Sequence, residues 1–575
     1  ALADTWVRAR ATSSLSSIVV TGEAGAGKSR LVSEFARSIA NDAHTILWGR
    51  CDEMAGYPFQ PVAEWLQYFL AHASPASVGM VRSRHGAQLS RLVPELVGAY
   101  SVTDQAQLAA DGGDPSALYE AVVGWLTLVS DGGPILLVVD DLQWASRPTL
   151  AMLQHLVSAA PRLPGLLLAT CRDDDVPEQR LATLLGRFDA AAAAQRVALA
   201  GLERDDVIAM ITESQVATSE SLDELADKIH EESSGNPLFV TSLAREIESD
   251  DLSQLRDASR PARPPARVME LVVKRLSGLD PVTVELLQKA AVAGPEFEFS
   301  LLRILAAENE RADAEDRLLD HLAEAVDARY LVELSGMPLR FRFAHGVVRN
   351  ALLETVPVSQ RMRLHRLAGR GLEKLGRAAD DRTLSVLAYH FSEAAELGES
   401  DRAINYCRLA ADVATQQLAH DEAVALYEKS LEVADTAALA DDDRYELLLA
   451  LGRAQVCAGR RAARGSLFRA YRFARERDDP IHAAEAVLSL NRGFFARTGE
   501  TDEEAVAALE ATLELFADRD DDGTKAALLA ALASELVWAE DGARRFELSD
   551  QALAMARRAA DPRALARVLV LRNMT

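Results

Sequence analysis

Cysteine is scarce in this chain: Cys51, Cys171, Cys407 and Cys457 are the four among 575 residues. They lie far apart, with no Cys-x-x-Cys pair and no histidine cluster beside them, which argues against a disulfide framework or a zinc site and for a reducing compartment. Aromatic residues amount to only 6%, while alanine is abundant, a composition that favours tightly packed helices. Lysine is rarer still, seven of the 62 basic residues, a bias we read as genomic base composition rather than function. Basic charge as a whole is outweighed: 87 acidic residues leave a net charge of −25. That argues against broad affinity for nucleic acid or anionic membrane, without excluding one small basic patch. No uncharged apolar run reaches the ~18 residues that span a bilayer, and the first residues do not read as a signal peptide. The expectation is a soluble, cytoplasmic protein with no membrane contact.

What the chain does have is length, and at ~150 residues per domain it should hold three or four. Its 49% hydrophobic and 26% charged residues are ordinary for a globular protein. The strongest local signal is Gly22-Glu23-Ala24-Gly25-Ala26-Gly27-Lys28-Ser29, which fills the spacing G-x-x-x-x-G-K-[ST]. The apolar run Ser17-Ile18-Val19-Val20-Thr21 precedes it and Arg30-Leu31-Val32-Ser33-Glu34-Phe35 follows, so the pattern predicts a strand, a glycine loop and a helix. Glycines let successive backbone N–H groups turn toward one anion, and the helix that starts there adds the positive end of its dipole. Lys28 can reach the β- and γ-phosphates, and Ser29 can give its hydroxyl to Mg²⁺. Gly22 through Ser29, with Arg30, are therefore the candidate nucleotide-binding residues. A glycine-rich turn without a ligand is the other reading, and the strand–loop–helix setting argues against it.

Further strands are expected at 44–51, at Pro134–Asp141, at Gly165–Arg172 and at 196–199, with helices beginning near Val62 and over 115–130 and 148–160. The run Pro134-Ile135-Leu136-Leu137-Val138-Val139-Asp140-Asp141 is apolar without alternation, the mark of a strand buried on both faces of a parallel sheet. Acids at the carboxyl end of such a strand lie where an open α/β sheet binds ligands. Asp140 would then hold Mg²⁺ through water, and Asp141 would orient or deprotonate the attacking water. A strand that merely runs into a turn gives the same pattern, and the upstream loop decides for the metal reading. Arg172 ends the neighbouring strand and is placed to sense a γ-phosphate; a solvated arginine in a loop with Asp173, Asp174 and Asp175 is the alternative. Strands alternating with helices predict a doubly wound parallel sheet.

Residues 203–255 are helical by periodicity, interrupted at Ser234-Gly235-Asn236-Pro237-Leu238-Phe239. The three prolines of Ser259-Arg260-Pro261-Ala262-Arg263-Pro264-Pro265 forbid continued helix and mark a linker. After it, 266–365 reads as helical with one strand-like piece, Leu339–His345, as in a small helical domain with a β-wing. From about 380 the pattern is all helix and repeats: Ala474-Arg475 with Asp479-Pro480 recurs as Ala556-Arg557 with Asp561-Pro562. Phe516-Ala517 falls between them, so the unit is roughly 41 residues in two helices. Ala419, Ala423, Ala463, Ala470, Ala543 and Ala552 are expected where paired helices approach closely. We read an α-solenoid with an extended surface for a protein or peptide partner; a compact bundle is the other reading. Both chain ends read as lying inside helices, so a piece of a longer protein is expected.

Taken in order, the P-loop, Val138-Val139-Asp140-Asp141-Leu142-Gln143-Trp144-Ala145, Ala169-Thr170-Cys171-Arg172 and Ser234-Gly235-Asn236-Pro237-Leu238-Phe239-Val240 resemble the STAND NTPases, signal-transduction ATPases with numerous domains. Among these they resemble the large bacterial LuxR-type regulators related to the maltose regulon activator. The likeness spans about 15–365 well and the repeats loosely. It implies an α/β P-loop NTPase of the ASCE type over 1–202, a helical lid over 203–258, the linker 259–265, a winged helix over 266–365 and TPR-like repeats over 366–575. It also implies that Pro237 lies against adenine and that His345 touches the ADP β-phosphate at rest, where a core or capping histidine is the plainer reading. The family's Gly-Arg-Glu segment ahead of the first helix is not in the sequence, which puts nucleotide affinity in doubt. Its DNA-binding helix-turn-helix is not there either, so DNA is expected only through a domain outside these residues.

The function expected is a switch. ADP keeps it closed, and an inducer or partner on the repeats favours an ATP form that self-associates; slow hydrolysis to ADP and phosphate resets it. The alternatives are a non-hydrolysing scaffold, a metabolic phosphotransferase, or the same module serving a nucleotide cyclase or protein kinase.

Overall fold

The computed structural model describes residues 1–575 except 13, 44, 53–56, 98–114, 160–162, 173–193, 214–221, 250–275, 277, 307–313, 335–337, 378–379, 437–440, 491–500, 540–541, 560 and 574–575. The predicted linker 259–265 and the aspartates 173–175 lie outside the described residues. Two compact units emerge: Ala1–Glu399 with Gln416–Leu418, and Ser400–Thr415 with Ala419–Thr575.

The first unit is built on five parallel strands: β1 (Leu15–Gly22), β2 (Thr45–Arg50), β3 (Ile135–Asp140), β4 (Gly165–Arg172) and β5 (Ala194–Ala198). Their order is β2-β3-β4-β1-β5, so β4 is inserted between the strand that feeds the glycine loop and the strand that ends in Asp140. Every residue of β3 is buried, as its unbroken apolar run requires when helices cover both faces. On one face Ile18, Val20, Leu136, Val138, Leu166 and Leu168 pack against Trp6, Val32, Phe35 and Ala36 of helices Leu2–Thr12 and Lys28–Ser38. Helix Gln60–His72 is tied to the sheet by the buried Trp65 indole, which donates to the Val138 carbonyl at 3.0 Å. Gly165 stands where an added Cβ would come within 2.4 Å of the Ile135 carbonyl oxygen, so only glycine allows β4 to enter that register.

Beyond the sheet, helices Arg204–Glu213, Leu222–Ser233 and Pro237–Ser249 close over Val207, Ile211, Ala226, Ile229, Val240 and Leu243. Next come helices Pro281–Ala293, Phe299–Ala306, Ala314–Asp327, Gly346–Thr355 and Val358–Lys374 around a sheet ordered β6-β8-β7. Its antiparallel strands are β6 (Glu296–Glu298), β7 (Leu331–Leu334) and β8 (Arg340–Phe343). Sequence periodicity reveals only the last, where Arg340-Phe341-Arg342-Phe343 alternates; Leu331-Val332-Glu333-Leu334 does not alternate, and the three residues of β6 are too few to display a period of two. Phe297, Leu331, Phe341 and Phe343 belong to this core. Asp280 starts the first of these helices by accepting from the Val282 N–H at 2.8 Å, with Pro281 at the first turn.

The second unit is helical. From His420–Thr436 through Asp441–Cys457, Ala463–Glu476, Pro480–Leu490, Glu503–Leu515, Asp522–Glu535, Gly542–Ala559 and Pro562–Arg572, each helix packs on the next, the nearest-neighbour pattern of a helical solenoid. The recurring Asp-Pro pairs are helix starts: Asp479 accepts from Ile481 and His482 N–H groups, and Asp561 accepts from the Arg563 N–H. Ala419, Ala423, Ala463, Ala470 and Ala552 are buried as expected. Ala543 is not; it sits in the first turn of its helix and is exposed. Among the described residues no helix is long and apolar enough to cross a membrane.

Candidate functional site

The glycine loop is shaped by backbone conformations that favour glycine: Gly22, Gly25 and Gly27 have φ of +155°, +83° and +89°. An added Cβ at Gly27 would meet nothing within 4 Å, whereas one at Gly25 would come within 2.8 Å of Leu238 Cβ and 2.9 Å of Asn236 Oδ1. The loop is thus open at Gly27 and closed over at Gly25 by Asn236 and the first turn of helix Pro237–Ser249. Asn236 also donates to the Ala24 carbonyl at 3.0 Å. Pro237 begins that helix, so the sequence's candidate adenine neighbour stands beside the loop.

Lys28 is buried, and its Nζ donates to the Gly22 and Glu23 carbonyls at 2.7 Å each. Ser29 Oγ donates to Asp140 Oδ1 at 2.9 Å. The insertion of β4 brings in a residue to which sequence reasoning assigned no role. The Thr170 hydroxyl donates to Asp140 Oδ1 at 2.5 Å and accepts the Asp141 N–H at 2.9 Å. The signal available for it was one hydroxyl at the end of the run Gly-Leu-Leu-Leu-Ala. Gln143 joins the next pair: its amide donates to Asp141 Oδ1 at 2.9 Å, and its oxygen accepts the Arg172 N–H at 3.1 Å. Asp141 holds a left-handed φ of +58°, a conformation worth noting at a functional turn.

Burial, then the charge of Asp140, pushes the Asp141 carboxyl above its ordinary range, against the Gln143 hydrogen bond and the fields of Arg172 and Arg50. The Cys51 thiol is raised by burial first and then by Asp52, Glu64, Asp141 and Asp140. Asp52, Glu64, Asp140 and Asp141 are therefore gathered around the carboxyl ends of β2 and β3, with Arg50 and Arg172 as opposing cations. Arg342 on β8 is drawn down by burial and by Arg50, with Glu296, Asp140 and Asp52 acting the other way; the antiparallel sheet brings a second arginine within electrostatic reach of the site. An added Cβ at Gly346 would lie 2.8 Å from Arg172 Nη2. Arg172 thereby meets the start of helix Gly346–Thr355, whose N-cap is His345. Arg30 is held elsewhere, exposed and paired with Glu34 at 2.8 Å.

A hydroxyl and a carboxylate 2.9 Å apart are hard oxygen donors of the kind Mg²⁺ takes, and a buried ammonium beside glycine N–H groups suits an oligophosphate. Among the described residues no cluster of three or more His, Cys, Asp or Glu could hold a metal. Replacing Thr170 by valine is expected to lower stability by about 1–3 kcal/mol, because the Asp141 N–H and Asp140 lose a buried partner. Urea unfolding reads this, and Thr170→Ser should restore the wild-type midpoint.

The sheet order, the glycine loop and the paired acids define a P-loop nucleotide-binding domain. Comparison with known proteins adds that residues 1–169 match the AAA ATPase domain family, a match that implies nucleotide binding. An uncharacterized protein of Rhizobium meliloti (strain 1021) is 25% identical over 375 residues, 61% of this chain and 34% of that protein; the chain spans about a third of the curated relative it matches. Among solved structures, the chain is similar to a Signal Transduction ATPase with Numerous Domains (STAND) protein with a tetratricopeptide repeat sensor from Pyrococcus horikoshii. That alignment has 13% identity, covers 98% of this chain and 78% of the other, and has a TM-score of 0.45. It is also similar to a Walker-type ATPase of Pyrococcus abyssi, at 16% identity over 61% and 94% of the two chains, with a TM-score of 0.28.

Proposed function

We propose that this chain is an ATP- and ADP-operated signalling switch that hydrolyses ATP slowly and senses an inducer or partner through its helical repeats. The observation that carries the reading is the meeting of three separate segments at one loop. Asn236 and Leu238 lean on Ala24 and Gly25, Gly346 abuts Arg172, and Ser29 at the end of the loop is tied to Asp140. A change in the phosphates at that loop would be felt at once by the helical segment 203–258 and by 266–365, which we read as a lid and a winged helix.

Lys28 would bind and orient the β- and γ-phosphates, and Ser29 with Asp140 would hold Mg²⁺, which supplies charge withdrawal from the phosphate oxygens. Asp141, raised by burial, would orient and take a proton from the attacking water. Arg172 would report the γ-phosphate to His345 and its helix. A ligand on the repeats shifts the balance only if it binds the two states unequally. A cytoplasmic setting is supported by four free cysteines, three of them buried. Self-association in the ATP state and a transcriptional output rest on the resemblance to LuxR-type regulators.

The test is the nucleotide that leaves with the purified chain, released by denaturation and identified by ion exchange. Stoichiometric ADP is expected; a chain that neither carries nor binds nucleotide would sink the reading. Asp141→Asn is expected to slow ATP turnover by about 10²–10⁴-fold with ATP binding retained. Unchanged or faster phosphate release in that variant would remove Asp141 from the role.

A further inference from the structure

The outer face of the small antiparallel sheet carries a cation without a counter-ion. Alternation along Arg340-Phe341-Arg342-Phe343 sends Phe341 and Phe343 into the core with Phe297 and leaves Arg340 and Arg342 on the opposite face. Across the ladder, Arg340 stands opposite Glu298 and Arg342 opposite Glu296. The acids are not shared out in that order. Glu296 is taken by Arg340 at 3.0 Å, and Glu298 is held through both oxygens by Arg377 at 2.7 and 2.8 Å. Arg342 is left half-buried, with no hydrogen bond or ion pair among the described residues.

The end of β8 is seated on the carboxyl edge of the parallel sheet. Gly346, four residues beyond Arg342, abuts Arg172 at the end of β4. Arg342 itself lies within the fields of Arg50, Asp140 and Asp52, and Arg50 at the end of β2 stands in register with Asp140 at the end of β3. The guanidinium of Arg50 is likewise half-buried and has no hydrogen bond or ion pair among the described residues.

A guanidinium drawn out of water without a partner is costly, and a second one beside it adds to the cost. An anion relieves both, and the planar fork of donors suits phosphate oxygens. Ser29 and Asp140, on the strand next to Arg50, are the residues that would hold the Mg²⁺ of a nucleotide. The outermost phosphate is the group that ATP has and ADP lacks.

We propose that Arg342, with Arg50 beside it, binds the terminal phosphate of ATP and so distinguishes ATP from ADP. That role rests on the switch reading above and names what its 266–365 segment recognises. The segment gains from ATP a contact that ADP cannot offer, which is the unequal binding that a shift between two states requires.

The experiment strips the purified full chain of nucleotide and titrates it by calorimetry with AMP-PNP and with ADP, each with Mg²⁺. In Arg342→Gln the affinity for AMP-PNP is expected to fall about 10–100-fold, the loss of a charge-assisted hydrogen bond, while that for ADP changes by less than about threefold. Arg342→Lys, which keeps the charge without the fork, should recover part of the loss. Phenylglyoxal modification of Arg342 in the wild-type chain, located by peptide mass spectrometry, should be slowed by AMP-PNP and not by ADP; this readout needs no variant to fold. Equal loss of both ligands in Arg342→Gln, unchanged affinity for AMP-PNP, or equal protection by ADP would each overturn the proposal. A wild-type chain that binds both nucleotides beside such a result fails this proposal alone, whereas a wild-type chain that binds neither fails the switch reading and this role with it.

Discussion

Lys28→Ala is expected to emerge from purification without nucleotide and to bind added ATP two to four orders of magnitude more weakly. The side chain is 7% exposed, and its ammonium holds two loop carbonyls at 2.7 Å. Truncation removes a buried positive charge from a site that also holds the acids Asp140 and Asp141. Two charge-assisted hydrogen bonds to phosphate contribute about 3–6 kcal/mol together, which converts to roughly 10²–10⁴ in affinity. The fold should survive, because the sheet core of Ile18, Val20, Leu136, Val138, Leu166 and Leu168 does not include Lys28; circular dichroism of the variant checks this. Stoichiometric ADP on a folded Lys28→Ala chain would remove the glycine loop from the nucleotide site altogether.

Acidification from pH 6.5 to 5 is expected to destabilise the first unit before most of its carboxylates titrate. His365 and His390 are 3% and 0% exposed, and their Nδ1 atoms lie 2.9 Å apart. In an N–H···N pair one ring donates and the other accepts, so the accepting nitrogen must be unprotonated. Burial, then Arg361 and Arg349, lowers the His365 pKa to about 4, and burial with His365 and Arg349 lowers that of His390. The folded values lie below the unfolded one, so the unfolded chain takes up protons first. The stability is present in full above about pH 6.5 and is lost as pH falls toward 4. For His365 alone the loss is about 2 kcal/mol at pH 5, or a fall of roughly 2–5 °C in Tm. Glu64 and Asp141, both raised by burial, act in the opposite sense as they protonate. Five of the six tryptophans lie in this unit, so the melt is read by their fluorescence. His365→Leu combined with His390→Leu should flatten the slope between pH 6.5 and 5. A wild-type Tm unchanged from pH 7 to 5 would show that the pair is not held neutral.

Legibility in the sequence followed the physical range of each signal. The strands at 15–22, 135–140 and 165–172 stood out because parallel strands covered on both faces need unbroken apolar runs; Lys28 and Ser29 were read from the spacing of the glycine loop, and Asp140 from its place at the end of an apolar strand once that loop lay upstream. Strand β6 was hidden by its length and β7 by its lack of alternation. Thr170 was visible as a residue but not as a partner of Asp140 and Asp141, because its position depends on β4 lying between β1 and β3. Arg30 and Ala543 belonged to the right segments, yet the turn of each helix left the first paired with Glu34 and the second exposed.

By itself, then, the sequence determined the glycine loop, the buried strands, the acids at the end of β3 and the recurrence of Asp479-Pro480 as Asp561-Pro562. These depend on backbone conformation and on hydrophobic period within a few residues. Only the tertiary structure decided that Thr170 bridges the two acids, that Asn236 closes over Gly25, and that Arg172 meets Gly346. Those pairs are separated by 29 to 211 positions, and what joins them is strand order and helix packing, which no local pattern of residues encodes.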